Sequence, residues 1–133
     1  VIMINLEKTF KNIILIHVLI FCASSIWEIF LANEDMINLS NELDESTLLS
    51  NTYFIVFAVI TLIVYLFNLF FLYKFYFFSK NLFCILLILF YVLILFGGIT
   101  IFEPLGYYLD DLFTLSQGVI LALLFFTPLK EKF

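Results

Sequence analysis

The sequence predicts an all-α integral membrane protein, a single bundle of four transmembrane helices. Three observations lead to this fold class: an apolar composition, four apolar runs near spanning length, and charges that are sorted between the loops. Of the 133 residues, 65% are hydrophobic and only 13% are charged, whereas soluble domains have roughly 45–50% apolar and about 25% charged residues. A compact soluble fold of this size cannot hide that excess, so the predicted environment is a lipid bilayer.

Four segments reach or approach the length of about 20 apolar residues that a helix needs to cross the hydrocarbon. Helices are expected because backbone groups in lipid must be hydrogen-bonded within the segment, and because the runs lack the alternation of barrel strands. The predicted spans are residues 12–32, 53–73, 82–102 and 112–129, joined by loops at 33–52, 74–81 and 103–111. The first run is long enough to predict a retained helix rather than a cleaved signal peptide.

The charged residues predict the direction of each span. The basic residues are six lysines, placed before span 1, between spans 2 and 3, or after span 4, whereas the acids other than Glu7 and Glu131 lie on the opposite side. By the positive-inside rule, both termini and the 74–81 turn are expected in the cytoplasm, in a bacterial-type inner (plasma) membrane. The turn lysines then extend to the headgroups from an aromatic belt. The lysines are Lys8, Lys11, Lys74, Lys80, Lys130 and Lys132.

The two outer loops carry local signals. In the first, Met36, Leu39 and Leu43 repeat at helical spacing between acids, which predicts a short amphipathic helix across the end of the bundle. In the second, a proline is expected to end span 3 and a glycine to allow a sharp turn. One of two aspartates is then expected to cap span 4. These residues of the second loop are Pro104, Gly106, Asp110 and Asp111.

Polar and small residues inside the spans are the candidate functional residues, because polar groups are costly in hydrocarbon. On each span they recur at intervals of three, four or seven residues, so each helix is predicted to have one polar or small stripe for packing. A small-xxx-small pattern on span 4 predicts close backbone contact there, centred on Gly118. The candidates are His17, Ser24, Glu28, Thr61, Tyr65, Asn68, Tyr91, Gly98, Glu103, Thr114, Gln117, Gly118 and Ala122.

Depth along the predicted spans sorts these candidates into layers. His17 and Asn68 both lie about five residues from the inner ends of their spans, so they are expected to be able to pair. Glu28, Glu103 and Gln117 are expected together near the outer surface, with hydroxyl side chains between the two groups. This arrangement suits either interhelical hydrogen bonding or a proton or cation path.

The sequence favours a non-enzymatic function. It contains no P-loop, GxGxxG, HExxH or GxSxG motif. No cofactor or metal is predicted, since His17 is the only histidine. Cys22 and Cys84 are expected as small buried hydrophobic residues. With no arginine to form bidentate phosphate contacts, nucleic-acid binding is not predicted.

The favoured function is an accessory or structural membrane subunit that packs against itself, as a homo-oligomer, or within a larger membrane-protein complex. The alternative is a small oligomeric transporter or channel for protons or cations. Four spans in so short a chain resemble the small multidrug transporters, which carry a glutamate well inside the first helix, whereas Glu28 is predicted near the outer end. The small, Phe- and Ile-rich composition is also similar to that of membrane immunity proteins against pore-forming toxins, which gives a third interpretation.

Overall fold

The computed structural model describes residues 2–27, 38, 52–96 and 104–133. Within those ranges the chain is helical, and four helices are long and apolar enough to cross a membrane. They are α1 (Ile2–Ile26), α2 (Thr52–Tyr73), α3 (Ser79–Phe96) and α4 (Pro104–Phe126), followed by a 3₁₀ helix at Pro128–Lys132. The coarse prediction of an all-helical, multi-pass membrane protein is confirmed. The amphipathic loop helix, Glu28, Gly98 and Glu103 lie outside the described residues.

The four helices form a bundle around one core. The closest backbone contacts join α1 to α4 and α2 to α3, whereas α1 and α2 approach each other less closely. Each helix places one face inward, and the opposite faces leave many large apolar side chains exposed, as expected of helices surrounded by lipid. The fully buried core includes Phe10, Leu69, Leu72, Phe83, Ile120 and Leu124.

The predicted turn between spans 2 and 3 is present, and its backbone explains how α2 ends. Phe75 adopts φ 60°, the left-handed conformation of a helix C-terminal cap. The amide of Phe75 donates to the Leu72 carbonyl and the amide of Tyr76 donates to the Phe71 carbonyl, the hydrogen-bond pair of a Schellman motif. Glycine usually occupies this position, because a side chain there is strained.

Aromatic packing compensates for the strain at Phe75. Its ring lies 5.7 Å from the Phe10 ring and 5.3 Å from the Phe133 ring, measured between centroids. The Lys11 ammonium is 5.4 Å from the centroid of the same ring. The turn is therefore held from both ends of the chain, by α1 and by the C-terminal residue.

The C-terminal residues fold against the same end of the bundle. Thr127 begins the 3₁₀ helix by accepting a hydrogen bond from the Leu129 amide, and the Leu129 side chain is fully buried. Lys132 forms an ion pair with Glu7 of α1 at 2.7 Å. The ammonium of Lys80 on α3 donates to the backbone carbonyl of Lys130 at 3.5 Å. The start of α1, the α2–α3 turn and the C-terminal segment thus meet at one end, the basic end.

Three helices begin earlier than the predicted spans. α1 begins at Ile2 rather than at residue 12, and α3 begins at Ser79 rather than at residue 82. The largest difference is α4, which begins at Pro104 instead of residue 112. Proline is well suited to a first helical position because its missing N–H has no partner there in any helix.

The early start of α4 makes two local predictions wrong. Gly106 is a buried helical residue, not a turn. Asp110 and Asp111 lie in the second turn of α4 and beyond, so neither is its N-cap. The expectation for the cysteines is also wrong in part, because Cys22 is exposed and Cys84 is only half-buried.

Candidate functional site

A hydrogen-bonded cluster in the middle of the bundle is centred on His17. This side chain is fully buried, and both of its ring nitrogens have partners on other helices. Nδ1 lies 2.5 Å from Ser116 Oγ on α4, and Nε2 lies 2.7 Å from the Tyr65 hydroxyl on α2. One imidazole therefore links three helices that are far apart in the sequence.

The cluster extends to the remaining helix through Gln117. The Gln117 amide nitrogen donates to the Tyr65 hydroxyl oxygen at 3.3 Å. The Tyr91 hydroxyl of α3 donates to Gln117 Oε1 at 3.0 Å. We call these five residues, His17, Tyr65, Tyr91, Ser116 and Gln117, the polar cluster. It connects all four membrane-spanning helices.

The contacts of Ser116 assign the proton positions in the cluster. Its hydroxyl donates to the Phe113 carbonyl at 2.7 Å, and a hydroxyl has one hydrogen to donate. His17 Nδ1 must then carry the hydrogen that points at Ser116. The other nitrogen, Nε2, is left as the acceptor for the Tyr65 hydroxyl. These contacts favour the His17 tautomer that carries its proton on Nδ1.

The Tyr65 hydroxyl stands at the centre of this arrangement. It donates to His17 Nε2, and its oxygen accepts from the Gln117 amide. The polar cluster is therefore a directional chain of hydrogen bonds that runs from Tyr91 through Gln117, Tyr65 and His17 to Ser116.

Aromatic rings fix the orientation of the two central side chains. The His17 ring stacks on Phe113 with a centroid distance of 4.5 Å and an interplanar angle of 21°. The Tyr65 ring stacks near Phe83 and Phe90 of α3, at 5.9 Å and 6.4 Å. These contacts restrict rotation of both rings, so the short hydrogen bonds are built into the packing of the core.

The polar cluster lies about halfway along the bundle. His17 is six residues beyond Lys11 of the basic end, a rise of about 9 Å along the helix. Gln117 is ten residues before Thr127, where α4 ends at the basic end, a rise of about 15 Å. The prediction that Gln117 and His17 lie in different layers is wrong, because both side chains contact the Tyr65 hydroxyl. α4 begins eight residues, about two turns, earlier than expected.

The expected pairing of His17 with Asn68 is also wrong. Asn68 is fully buried, but its amide nitrogen donates to the backbone carbonyl of Ser79 at 3.2 Å, which ties α2 to the first residue of α3. Among the described residues, Asn68 Oδ1 is a buried side-chain oxygen with no hydrogen-bond partner. The His17 nitrogens instead contact Tyr65 of α2 and Ser116 of α4.

Two further candidates, Thr61 and Ser24, lie on α2 and α1. Thr61 is buried, and its hydroxyl donates to the Phe57 carbonyl of its own helix at 2.9 Å. Thr61, Tyr65 and Asn68, which helical spacing places on one face of span 2 with Ala58, are buried, whereas Ala58 is half-buried. Ser24 is half-buried on α1.

The predicted packing stripes of α3 and α4 do not form the core. Tyr91 is 44% exposed, although its hydroxyl reaches Gln117. On α4 the residues Thr114, Gly118 and Ala122 are all exposed. Apart from the adjacent residues and the nearby backbone of α4 itself, no atom of the described residues lies within 4 Å of where a Gly118 side chain would begin. The expectation that Gly118 packs tightly inside this bundle is therefore wrong. We call these three residues the outer stripe of α4.

Sequence reasoning missed Ser116, which is essential to the proton assignment. The buried face of α4 includes Phe113, Ser116, Gln117, Ile120 and Leu124. These positions follow the spacing of three and four residues that marks one face of a helix. Attention to that spacing, rather than to the small residues, identifies Ser116 as a core residue.

The described residues include no group of three or more His, Cys, Asp or Glu side chains placed to hold a metal ion. Comparison of the chain with models of protein families, with curated proteins and with solved structures found no match.

Proposed function

We propose that this chain is a non-enzymatic membrane subunit that acts by packing its helices against a second copy of itself or against a membrane partner. The observation that carries the proposal is the contrast between the two polar or small surfaces of α4. Its inner face carries Ser116 and Gln117 of the polar cluster, whereas Thr114, Gly118 and Ala122 of its outer stripe are exposed among the described residues.

The polar cluster supports a structural function for the interior. Its hydrogen bonds join all four helices, with His17 and Gln117 each bridging two partners. Hydrogen bonds between membrane helices are typically worth about 0.6 kcal/mol each, so several in one layer fix the relative rotation of the helices without dominating stability. A rigid monomer of this kind can present a fixed outer surface.

The outer stripe supports the proposed association. Small residues four positions apart on a lipid-exposed helix allow a second helix to approach closely, and close approach drives association in lipid. A bulky residue at Gly118 would fill open space in the monomer, so this position is available to a partner without disturbing the bundle.

The topology that accompanies this proposal has both termini in the cytoplasm of a bacterial-type inner membrane. It is supported by the gathering of lysines with the start of α1, the α2–α3 turn and the C-terminal segment at the basic end. Basic loops are retained on the cytoplasmic side.

Site-directed cross-linking in native membranes tests the association. In a Cys22→Ser, Cys84→Ala background, a single cysteine at Gly118 is expected to give an oxidised adduct, either a dimer or a species with another protein. The matched control is a cysteine at Val119, which is 38% exposed and lies about 100° around the same helix from Gly118. Equal adducts at both positions, or none at Gly118, would reject the outer stripe as an interface.

A second variant separates association from folding. Gly118→Leu is expected to abolish the adduct formed by a cysteine at Ala122 while leaving the helix content and the thermal stability of the monomer unchanged. Val119→Leu is the control for a larger side chain at nearly the same depth. A monomer that unfolds on Gly118→Leu substitution would show that the glycine packs within the chain.

A proton path is the second candidate function, favoured by the continuous hydrogen-bonded chain from His17 through Tyr65 and Gln117 to the exposed Tyr91. The experiment is proton flux into liposomes, compared between the wild type and His17→Phe. Flux above that of empty liposomes that disappears in the variant would favour transport. Equal flux in both would favour the structural function.

A further inference from the structure

A cleft runs along the outside of the bundle where α1 and α2 separate. Its apolar part is a groove of about 360 Å³ that opens to the surroundings of the protein. The walls are aliphatic and aromatic side chains from both helices, namely Ile14, Leu15, Val18, Leu66, Leu69 and Phe70. Because α1 packs mainly on α4 and α2 mainly on α3, no side chain of the described residues fills this space.

The groove continues into a polar notch at the basic end. The notch has a volume of about 330 Å³ and is lined by Lys8, Lys11 and Asn12, together with Glu7. Tyr73 lines both the groove and the notch, and Lys74 lies at the end of the groove beside it. The two spaces therefore adjoin at Tyr73, and we call them together the cleft, which is apolar along the bundle and cationic at the basic end.

The charges of the notch leave a net attraction for an anion. The Glu7 carboxylate, which lies at the notch, is neutralised by its ion pair with Lys132 at 2.7 Å. Lys11 is held over the Tyr73 ring, 5.1 Å from its centroid, and Lys74 lies 5.9 Å from the Phe70 centroid. These contacts hold the ammonium groups beside the mouth of the groove, and neither ammonium of this pair has a carboxylate partner among the described residues.

We infer that this cleft binds one anionic phospholipid, with an acyl chain in the groove and the headgroup phosphate at Lys11 and Lys74. The order of the surfaces matches the order of the chemical groups in such a lipid. Its hydrocarbon contacts the aliphatic side chains of α1 and α2, its phosphate meets the ammonium groups, and Asn12 and Tyr73 can donate to headgroup oxygens. The headgroup of a zwitterionic lipid also carries a positive charge, which the lysines would repel.

The test measures lipid binding to the full-length protein in a neutral detergent. Dioleoylphosphatidylglycerol is titrated against dioleoylphosphatidylcholine, and bound lipid is counted by native mass spectrometry. One phosphatidylglycerol is expected to remain bound under conditions that remove phosphatidylcholine. Equal retention of the two lipids would overturn the proposal.

Charge variants locate the headgroup. Lys11→Gln and Lys74→Gln are each expected to raise the Kd for phosphatidylglycerol about fivefold, the usual contribution of a lysine near an anionic lipid surface. Lys130→Gln removes the same charge from the same end of the protein but away from the cleft, so the Kd is expected to stay unchanged. An equal rise in all three variants would show general attraction to the basic end, and would reject a site.

Groove variants locate the acyl chain. Leu66→Trp fills the groove and is expected to weaken binding of phosphatidylglycerol, whereas Phe67→Trp, at the same depth but outside the groove, is expected to have no effect. Helix content by circular dichroism shows that both variants are folded. Inorganic phosphate at millimolar concentration is expected not to displace the lipid. Displacement would show that the lysines bind any phosphate, which would overturn the assignment to a lipid.

Discussion

Replacing His17 by phenylalanine removes both hydrogen bonds of the imidazole but keeps an aromatic ring against Phe113. In the wild type, Nδ1 and Nε2 contact Ser116 and Tyr65 at 2.5 Å and 2.7 Å, and the ring stacks 4.5 Å from Phe113. The variant leaves the Tyr65 hydroxyl hydrogen buried and without its acceptor. The perturbation is therefore confined to the polar cluster.

The expected loss of stability follows from these contacts. Two interhelical hydrogen bonds contribute about 0.6 kcal/mol each in membrane proteins. A buried donor without an acceptor adds about 1–3 kcal/mol. We expect His17→Phe to lower the free energy of unfolding by about 2–4 kcal/mol. Tyr65→Phe is expected to lower it by about 2 kcal/mol, because it leaves His17 Nε2 and the Gln117 amide without a partner.

The decisive quantity is the coupling between the two substitutions. In the double variant neither substitution leaves the other side chain unpaired. The double variant is therefore expected to lose about 1–2 kcal/mol less stability than the sum of the losses in the two single variants. The assay is reversible unfolding in mixed detergent micelles, followed by far-UV circular dichroism. The control cycle pairs His17→Phe with Thr61→Val, since the Thr61 hydroxyl bonds only within its own helix and additive losses are expected.

Losses that add within about 0.3 kcal/mol for His17 and Tyr65 would refute the reasoning, because independent sites behave in that way. Such a result would mean that the two side chains do not share a hydrogen bond in the membrane protein. Equal coupling between His17→Phe and Thr61→Val would also contradict the reasoning, because it would show that the coupling comes from a general loosening of the core.

The remaining predictions concern topology and the basic end. Reporters fused at Ser79 and after Lys132 are expected to be cytoplasmic and one at Ser40 to be outside; a cytoplasmic Ser40 reporter would reverse the assignment. Phe75→Gly is expected to be more stable than Phe75→Ala by about 1 kcal/mol in the same unfolding assay, since both lose the ring but only glycine relieves the positive φ; the reverse order would show that strain is absent. Leu129→Ala is expected to cost about 2–5 kcal/mol because the side chain is fully buried, whereas Lys132→Gln, which breaks a partly exposed ion pair, is expected to cost less than about 1 kcal/mol. Similar losses for these two variants would contradict the proposed packing of the 3₁₀ helix.

The sequence by itself determined the class of the protein and the approximate position of its spans. Transfer of a long apolar run into hydrocarbon depends on the composition of that run, and hardly on its neighbours, so α2 at Thr52–Tyr73 agrees closely with the predicted 53–73. The turn between α2 and α3 was also predictable, because Lys74 and Lys80 cannot remain in the hydrocarbon. The shared face of Thr61, Tyr65 and Asn68 followed from helical spacing alone.

The tertiary structure decided how each helix is rotated and where it begins. Rotation is set by the sum of many side-chain contacts with several neighbouring helices, and a single sequence does not contain the identity of those neighbours. His17 therefore pairs with Tyr65 and Ser116 rather than with Asn68, and Gly118 faces outward although its spacing suits close packing. Pro104 is compatible both with ending one helix and with starting the next. Only the burial of Gly106 and Phe113 against the bundle shows that α4 starts there.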